Sequence, residues 1–143
     1  MGRFAEKINM QEIFLQLNWY AVSFAAISTF AIGGIWYSIF ETPWKAANNF
    51  TNEYLSQRKM PLVFGLSLLF SFIMAFNLAM FIGVKASFSF GLMAGFLVGF
   101  GWIFFSIVII SLFEKRTITY ILINGGYITL AFTVMGAIIG AWH

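Results

Sequence analysis

Apolar residues along this chain do not alternate with polar ones over most of its length; they run on. Four runs, at roughly residues 17–40, 62–84, 89–112 and 118–142, each reach the length of about 20 residues that a helix needs to cross a bilayer. In the second, Leu62, Val63, Phe64, Leu66, Leu68, Leu69 and Phe70 come within nine positions. At about −0.3 to −0.6 kcal/mol each, such side chains favour insertion by several kcal/mol, which the lone Asn77 cannot reverse. The pattern predicts an all-α polytopic membrane protein: a four-transmembrane-helix bundle forming one integral membrane domain over residues 1–143.

The longest connection, 41–61, is different. Thr42 before Pro43 suggests a helix cap and first-turn proline, and Trp44, Ala47, Phe50, Tyr54 and Leu55 then recur near helical spacing. A short amphipathic helix lying along the membrane interface is expected there. Phe4, Ile8 and Leu15 give a weaker version before the first run. That run is too long, and too bulky at its end, for a cleaved signal peptide. A myristoylation start is also excluded, because Glu6 stands where Ser or Thr is required.

Composition agrees and removes several chemistries. With 61% hydrophobic, 20% aromatic and only 9% charged residues, the chain lies far outside soluble averages. It has no Asp and no Cys, and its single His is the last residue, so disulfides, thiol chemistry and most metal-ligand sets are gone. No metal and no cofactor is expected. The net charge of +3 comes from basic residues scattered between the runs, which speaks to topology and not to nucleic acid. Lys45, Arg58, Lys59, Lys115 and Arg116 fall on one side, and Arg3, Lys7 and Lys85 on the other. This favours both termini outside a cytoplasmic (inner) membrane.

In lipid, helices associate by close approach through small residues four apart. Each run has such a ridge: Ala21, Ala25, Thr29 and Gly33; Ala75, Ala79 and Gly83; Gly91, Gly95 and Gly99; Gly136 and Gly140. The middle two flank the short turn at Lys85, and a tight hairpin between spans two and three is expected from them.

Most ridges fall in the outer half, whereas Trp36, Tyr37, Phe40, Trp102, Phe104 and Phe105 crowd the inner half with Ser38, Ser106, Ser111, Asn124 and Tyr127. The bundle should therefore be narrow outside and wider inside. Two readings stay open. In one, Trp36, Tyr37, Glu41, Asn124 and Tyr127 line a cytoplasm-facing pocket. In the other, Trp36, Tyr37 and Trp44 form an interfacial aromatic belt and Asn124 bonds across helices. Adjacent Gly125 and Gly126 could kink the fourth helix. Ser38-Ile39-Phe40-Glu41 recurs as Ser111-Leu112-Phe113-Glu114, an echo that would fit a duplicated two-helix unit.

No run carries an ionisable residue near its middle, where coupled transporters generally keep one. No triad or zinc set is available, and the only two carboxylates in one predicted layer, Glu41 and Glu114, could meet only if spans one and three were neighbours. An enzyme is not expected.

Leu17-Asn18-Trp19 with Ala21-Val22, then Trp36-Tyr37-Ser38 and Trp44, then Asn124, Gly126-Tyr127 and Met135-Gly136-Ala137-Ile138 with Gly140 and Trp142, together resemble the domain-of-unknown-function 1761 family. The resemblance covers nearly the whole chain and implies a small bacterial-type membrane protein with four spans. It supplies no activity and no catalytic or ligand residues. In the family Pro often follows the Trp-Tyr-Ser and His often follows the Gly-Tyr; here Ile39 and Ile128 stand there, so any chemistry of that His is lost.

The expected role is a structural or accessory subunit in the lipid bilayer, without catalytic chemistry, joined to copies of itself or to a larger membrane complex through Gly91, Gly95, Gly99, Gly136 and Gly140. The alternative is a small carrier or channel for an apolar or aromatic solute held in the inner-half pocket.

Overall fold

Asn18 starts the first span by capping it: its side chain accepts from the Tyr20 and Ala21 backbone N–H groups at 3.1 and 3.2 Å. The structure, a computed structural model, describes residues 9–142. Phe4 and Ile8 of the weak amphipathic pattern, with Arg3 and Lys7, lie outside them. A short helix α1 (Met10–Gln16) precedes α2 (Trp19–Ile39). Then come α3 (Glu41–Asn48), α4 (Asn52–Ser56), α5 (Met60–Ile82) and α6 (Phe88–Phe96). A π-helical segment, Leu97–Phe104, joins α6 to α7 (Phe105–Phe113), and α8 (Ile118–Ala141) completes the chain. Among the described residues there is no strand.

Among the described residues, four helices are long and apolar enough to cross a membrane: Trp19–Ile39, Met60–Ile82, Phe88–Glu114 and Ile118–Ala141. They lie within two residues of the four runs at every boundary. One end of the bundle carries α1, the 83–87 turn and Trp142. The other, here the loop end, carries α3, α4 and the 114–117 turn.

The spans do not pack in sequence order. Helix α8 lies against both α2 and the third span, while α5 packs chiefly on α2 and touches α6 only lightly. The expected hairpin between spans two and three is therefore not formed, because their ridges face other partners. Gly91, Gly95 and Gly99 meet α8, where a Cβ on Gly91 would stand 2.2 Å from the Gly136 carbonyl oxygen and one on Gly95 2.1 Å from that of Phe132. Such spacing is open only to glycine. The Ala75–Ala79 side of α5 is buried with Val22, Ala25 and Ala26 of α2 in the shared core.

Gly125 and Gly126 do not interrupt the fourth span; α8 runs unbroken through them. Both glycines instead accommodate rings. The Phe104 ring lies where a Gly125 Cβ would be, 2.4 Å from Cδ2, and the Trp36 indole lies 3.0 Å from where one on Gly126 would be. The irregular backbone falls on the third span, whose π segment spans Gly99 and Gly101 and ends at Phe104.

At the loop end α2 and α5 part. On α5 the buried positions Ser71, Ala75, Leu78, Ala79 and Ile82 all lie in its second half, whereas residues 61–70 are exposed throughout. The small-residue row that lets the helices touch ends near Ser71. Beyond it Phe30 and Phe64 meet edge to face, with ring centroids 5.5 Å apart, and hold the helices apart. The bundle is tight at the terminal end and open at the loop end.

The connection is not the single interfacial helix expected. Helix α3 follows α2 almost directly, with Phe40 as its cap and no side-chain cap bond, so Thr42 does not start it. Asn49, in the left-handed region at φ 57°, ends α3, and Thr51 caps α4 by accepting from the Tyr54 N–H.

Candidate functional site

Where α2 and α5 separate they border an open cavity of about 860 Å³, backed by α8 and crossed at the loop end by α3 and α4. Its lining follows from helical spacing. Gly33 and Tyr37 lie four residues apart on one face of α2, Ser67 and Ser71 do the same on α5, and Glu41 follows at the start of α3. Phe30, Met60, Val63 and Phe64 make its apolar walls.

The middle layer is held by hydrogen bonds between α2 and α8. The Tyr37 hydroxyl donates to Asn124 Oδ1 at 2.7 Å, and Asn124 Nδ2 donates to the Tyr120 carbonyl at 3.0 Å. Tyr127 packs on Tyr37 with ring centroids 5.3 Å apart, and its hydroxyl donates to the Thr29 carbonyl at 3.4 Å. Gly33 leaves room for that ring, since a Cβ there would stand 3.3 Å from it.

The mouth is charged. Lys45 pairs with Glu41 and donates to Asn52 Oδ1 at 2.8 Å, which ties α3 to the start of α4. Lys45 holds the Glu41 carboxyl below its ordinary value, first through that hydrogen bond and then through its charge. Arg58 also lines the mouth; its Nε donates to the Leu55 carbonyl at 3.1 Å. Trp44 packs edge to face on Tyr37 and on Phe50, at 5.7 and 5.3 Å.

Four of the five residues read from the sequence as pocket candidates, Tyr37, Glu41, Asn124 and Tyr127, thus line one cavity. Trp36 does not. Its indole N–H donates to the Ile123 carbonyl at 2.9 Å and its ring fills the notch at Gly126, so it locks α2 to α8. Of the polar groups expected beside it, Ser38 lines the cavity. Ser106 turns to its own helix, donating to the Trp102 carbonyl at 2.7 Å, and Ser111 is buried in the third span.

Glu41 and Glu114 do not meet, because α8 lies between their spans; Glu114 pairs with Arg116 instead. The four-residue echo ends differently in its two copies: Glu41 opens α3, whereas Glu114 leads into Lys115 at φ 54°.

Sequence reasoning missed Lys45, Asn52, Arg58, Ser67 and Ser71 as lining residues. The i, i+4 serines on a face otherwise free of polar groups were the available signal. The cations carried none, because a basic residue beside a span reads first as topology.

No curated protein and no solved structure matches the chain. The model of a family described as "Protein of unknown function (DUF1761)" matches residues 20–140. Several residues that carried the resemblance are those that hold α2 against α8: Asn18, whose Nδ2 donates to the Trp142 carbonyl at 3.4 Å, Trp36 on Gly126, Tyr37 on Asn124 and Tyr127 on Gly33. With its match over most of its length and its four apolar spans, the chain belongs to the DUF1761 family of proteins of unknown function.

Proposed function

We propose that this protein binds a small solute, part apolar and part polar, in the cavity between α2 and α5, and that it does so as a carrier or binding protein and not as an enzyme. The cavity carries the proposal. Its volume of about 860 Å³ suits a small molecule, and it combines apolar walls with a few convergent polar groups. Binding is favoured over catalysis because the polar groups are already engaged: Glu41 with Lys45, and Asn124 with Tyr37 and Tyr120. The charge asymmetry supports a cytoplasmic membrane, with both termini outside and the cavity mouth facing the cytoplasm.

An accessory role through the glycine faces has less support. Gly91, Gly95, Gly99, Gly136 and Gly140 are taken up in the contact between the third span and α8, so a second copy or a larger complex would have to use another surface.

Native mass spectrometry of protein gently extracted from its own membranes tests the proposal, with Ser67→Trp beside the wild type. Ser67 is exposed and lines the cavity, so the indole should fill it without disturbing the core. A small molecule carried by the wild type and missing from Ser67→Trp is the expected result. A stoichiometric second protein held by both forms, with no small molecule in either, would overturn it in favour of the accessory role.

A further inference from the structure

We infer that the solute is an amphiphile with an anionic head, a phosphate or carboxylate, seated at Arg58 with its apolar part lying along α2 toward Phe30. This inference rests on the binding reading above and adds the chemistry of the ligand.

The cavity is graded along its length. From Tyr37 to Phe30, roughly 10 Å at the α-helical rise, the lining of α2 passes from phenolic to apolar, and Glu41 at the start of α3 adds charge at the mouth. The α5 wall starts the same way, from Arg58 just before the helix to Met60, Val63 and Phe64 within it, and the hydroxyls of Ser67 and Ser71 are the polar groups beyond them. A solute that is polar throughout would leave its groups unpaired against Phe30, Val63 and Phe64. A wholly apolar one would leave the charged mouth unused.

The sign of the head follows from the pairing at the mouth. The charged lining residues are Glu41, Lys45 and Arg58, a net of one positive charge. Glu41 and Lys45 neutralise each other, and Lys45 is further held by Asn52. Arg58 alone is left without an acidic partner among the described residues; its Nε is satisfied by Leu55, and the other guanidinium N–H groups remain available. A guanidinium edge fits two oxygens of one phosphate or carboxylate.

The route also fits an amphiphile. No residue of the third span lines the cavity, and the first half of α5 is exposed on all faces, so a molecule already in the bilayer can reach the site from the side.

The test uses the full chain in micelles of an uncharged maltoside detergent and single-chain probes of equal tail length. These are a lysophosphatidate and a fatty acid as anionic heads, a lysophosphatidylcholine as zwitterionic, and a monoacylglycerol as uncharged. Glycerol phosphate serves as the head without a tail. Dissociation constants are read from tryptophan fluorescence, since Trp44 lines the site. The anionic probes should bind at least about tenfold more tightly than the others. Arg58→Gln should abolish that preference, whereas Lys59→Gln, the same charge change one residue away and off the cavity, should preserve it.

Equal binding of all tailed probes would overturn the anionic head while leaving the cavity reading intact. Glycerol phosphate binding as tightly as lysophosphatidate would overturn the amphiphile in favour of a soluble anion. Equal loss of preference in Lys59→Gln would reduce the effect to surface charge. Failure of every probe, unchanged by Ser67→Trp, would overturn both proposals.

Discussion

Gly91 and Gly136 face each other so closely that a Cβ added to either would stand 2.2 Å from the other's carbonyl oxygen. The relation is reciprocal, and the seam stays as close on either side of it: a Cβ on Gly95 would stand 2.1 Å from the Phe132 carbonyl oxygen and one on Gly140 2.5 Å from that of Ser87. Helices in lipid gain little from burying apolar surface against one another, so backbone contact of this kind, with the dispersion and weak Cα–H···O bonds it allows, is what joins the third span to α8.

Gly136→Ala should therefore force the seam apart and cost about 1–3 kcal/mol, the usual range for overpacking. Gly65→Ala is the control: nothing lies within 4 Å of its added Cβ, and it sits in a regular helix. It should be neutral or slightly stabilising. Reversible unfolding of both variants in mixed micelles measures the difference, and equal losses would show that the seam is not closely packed.

The four spans were legible because insertion depends on summed hydropathy, which a run of apolar residues states directly. The small-residue ridges were legible for the same reason: spacing by four is a property of one helix. Which ridge meets which is a property of two. Ala75 and Ala79 lie on the span that precedes that of Gly91 and Gly95, yet the first pair packs toward α2 and the second against α8. Gly125 and Gly126 misled for a related reason, since a glycine pair read along the chain suggests a break in the helix, while the rings of Phe104 and Trp36 that occupy it come from elsewhere. The cavity was half legible. Its aromatic and amide groups stand out in an apolar helix, but its opening depends on Phe30 meeting Phe64.

The bond from Tyr37 to Asn124 joins α2 to α8 across the back of the cavity, at 2.7 Å. Cross-helix bonds of this type are worth about 0.6 to 2 kcal/mol. Tyr37→Phe and Asn124→Leu should each lose an amount in that range, and the double variant should lose little more than the larger single loss. A double-mutant cycle of unfolding free energies checks this; simple additivity would mean that the bond contributes nothing. If the cavity binds its solute as proposed, Asn124→Leu should also weaken binding.

The clasp of Lys45 on Glu41 and Asn52 should depend on pH. Because the Glu41 carboxyl is held below its ordinary value, the contact is at full strength above the ordinary carboxylate range. It is lost as pH falls through the lowered value, when the carboxyl is protonated. A nitroxide at Gln57→Cys, in a chain with no other cysteine, should report α4 immobile at neutral pH and mobile in acid. Adding Glu41→Gln should make it mobile at neutral pH and remove that acid step. An unchanged transition would show that it does not arise from Glu41.

Phe104 and Gly125 offer a test of why the third span leaves the α-helical repeat. The π segment ends at Phe104, whose ring lies flat enough on α8 that a Cβ at Gly125 would come within 2.4 Å of Cδ2 and 2.6 Å of Cε2. Gly125→Ala alone should cost about 1–3 kcal/mol, because the ring must move against its neighbours. Phe104→Leu alone should also destabilise, by leaving space over Gly125. Combined, the smaller side chain makes room for the added methyl, so the double variant should be more stable than the sum of the two losses by at least about 0.5 kcal/mol. Strict additivity would mean that Gly125 is required by the backbone of α8 and not by the ring. The π segment would then need a cause within the third span, and Gly99, whose added Cβ would stand 2.9 Å from the Thr129 Cα, would be the residue to change next.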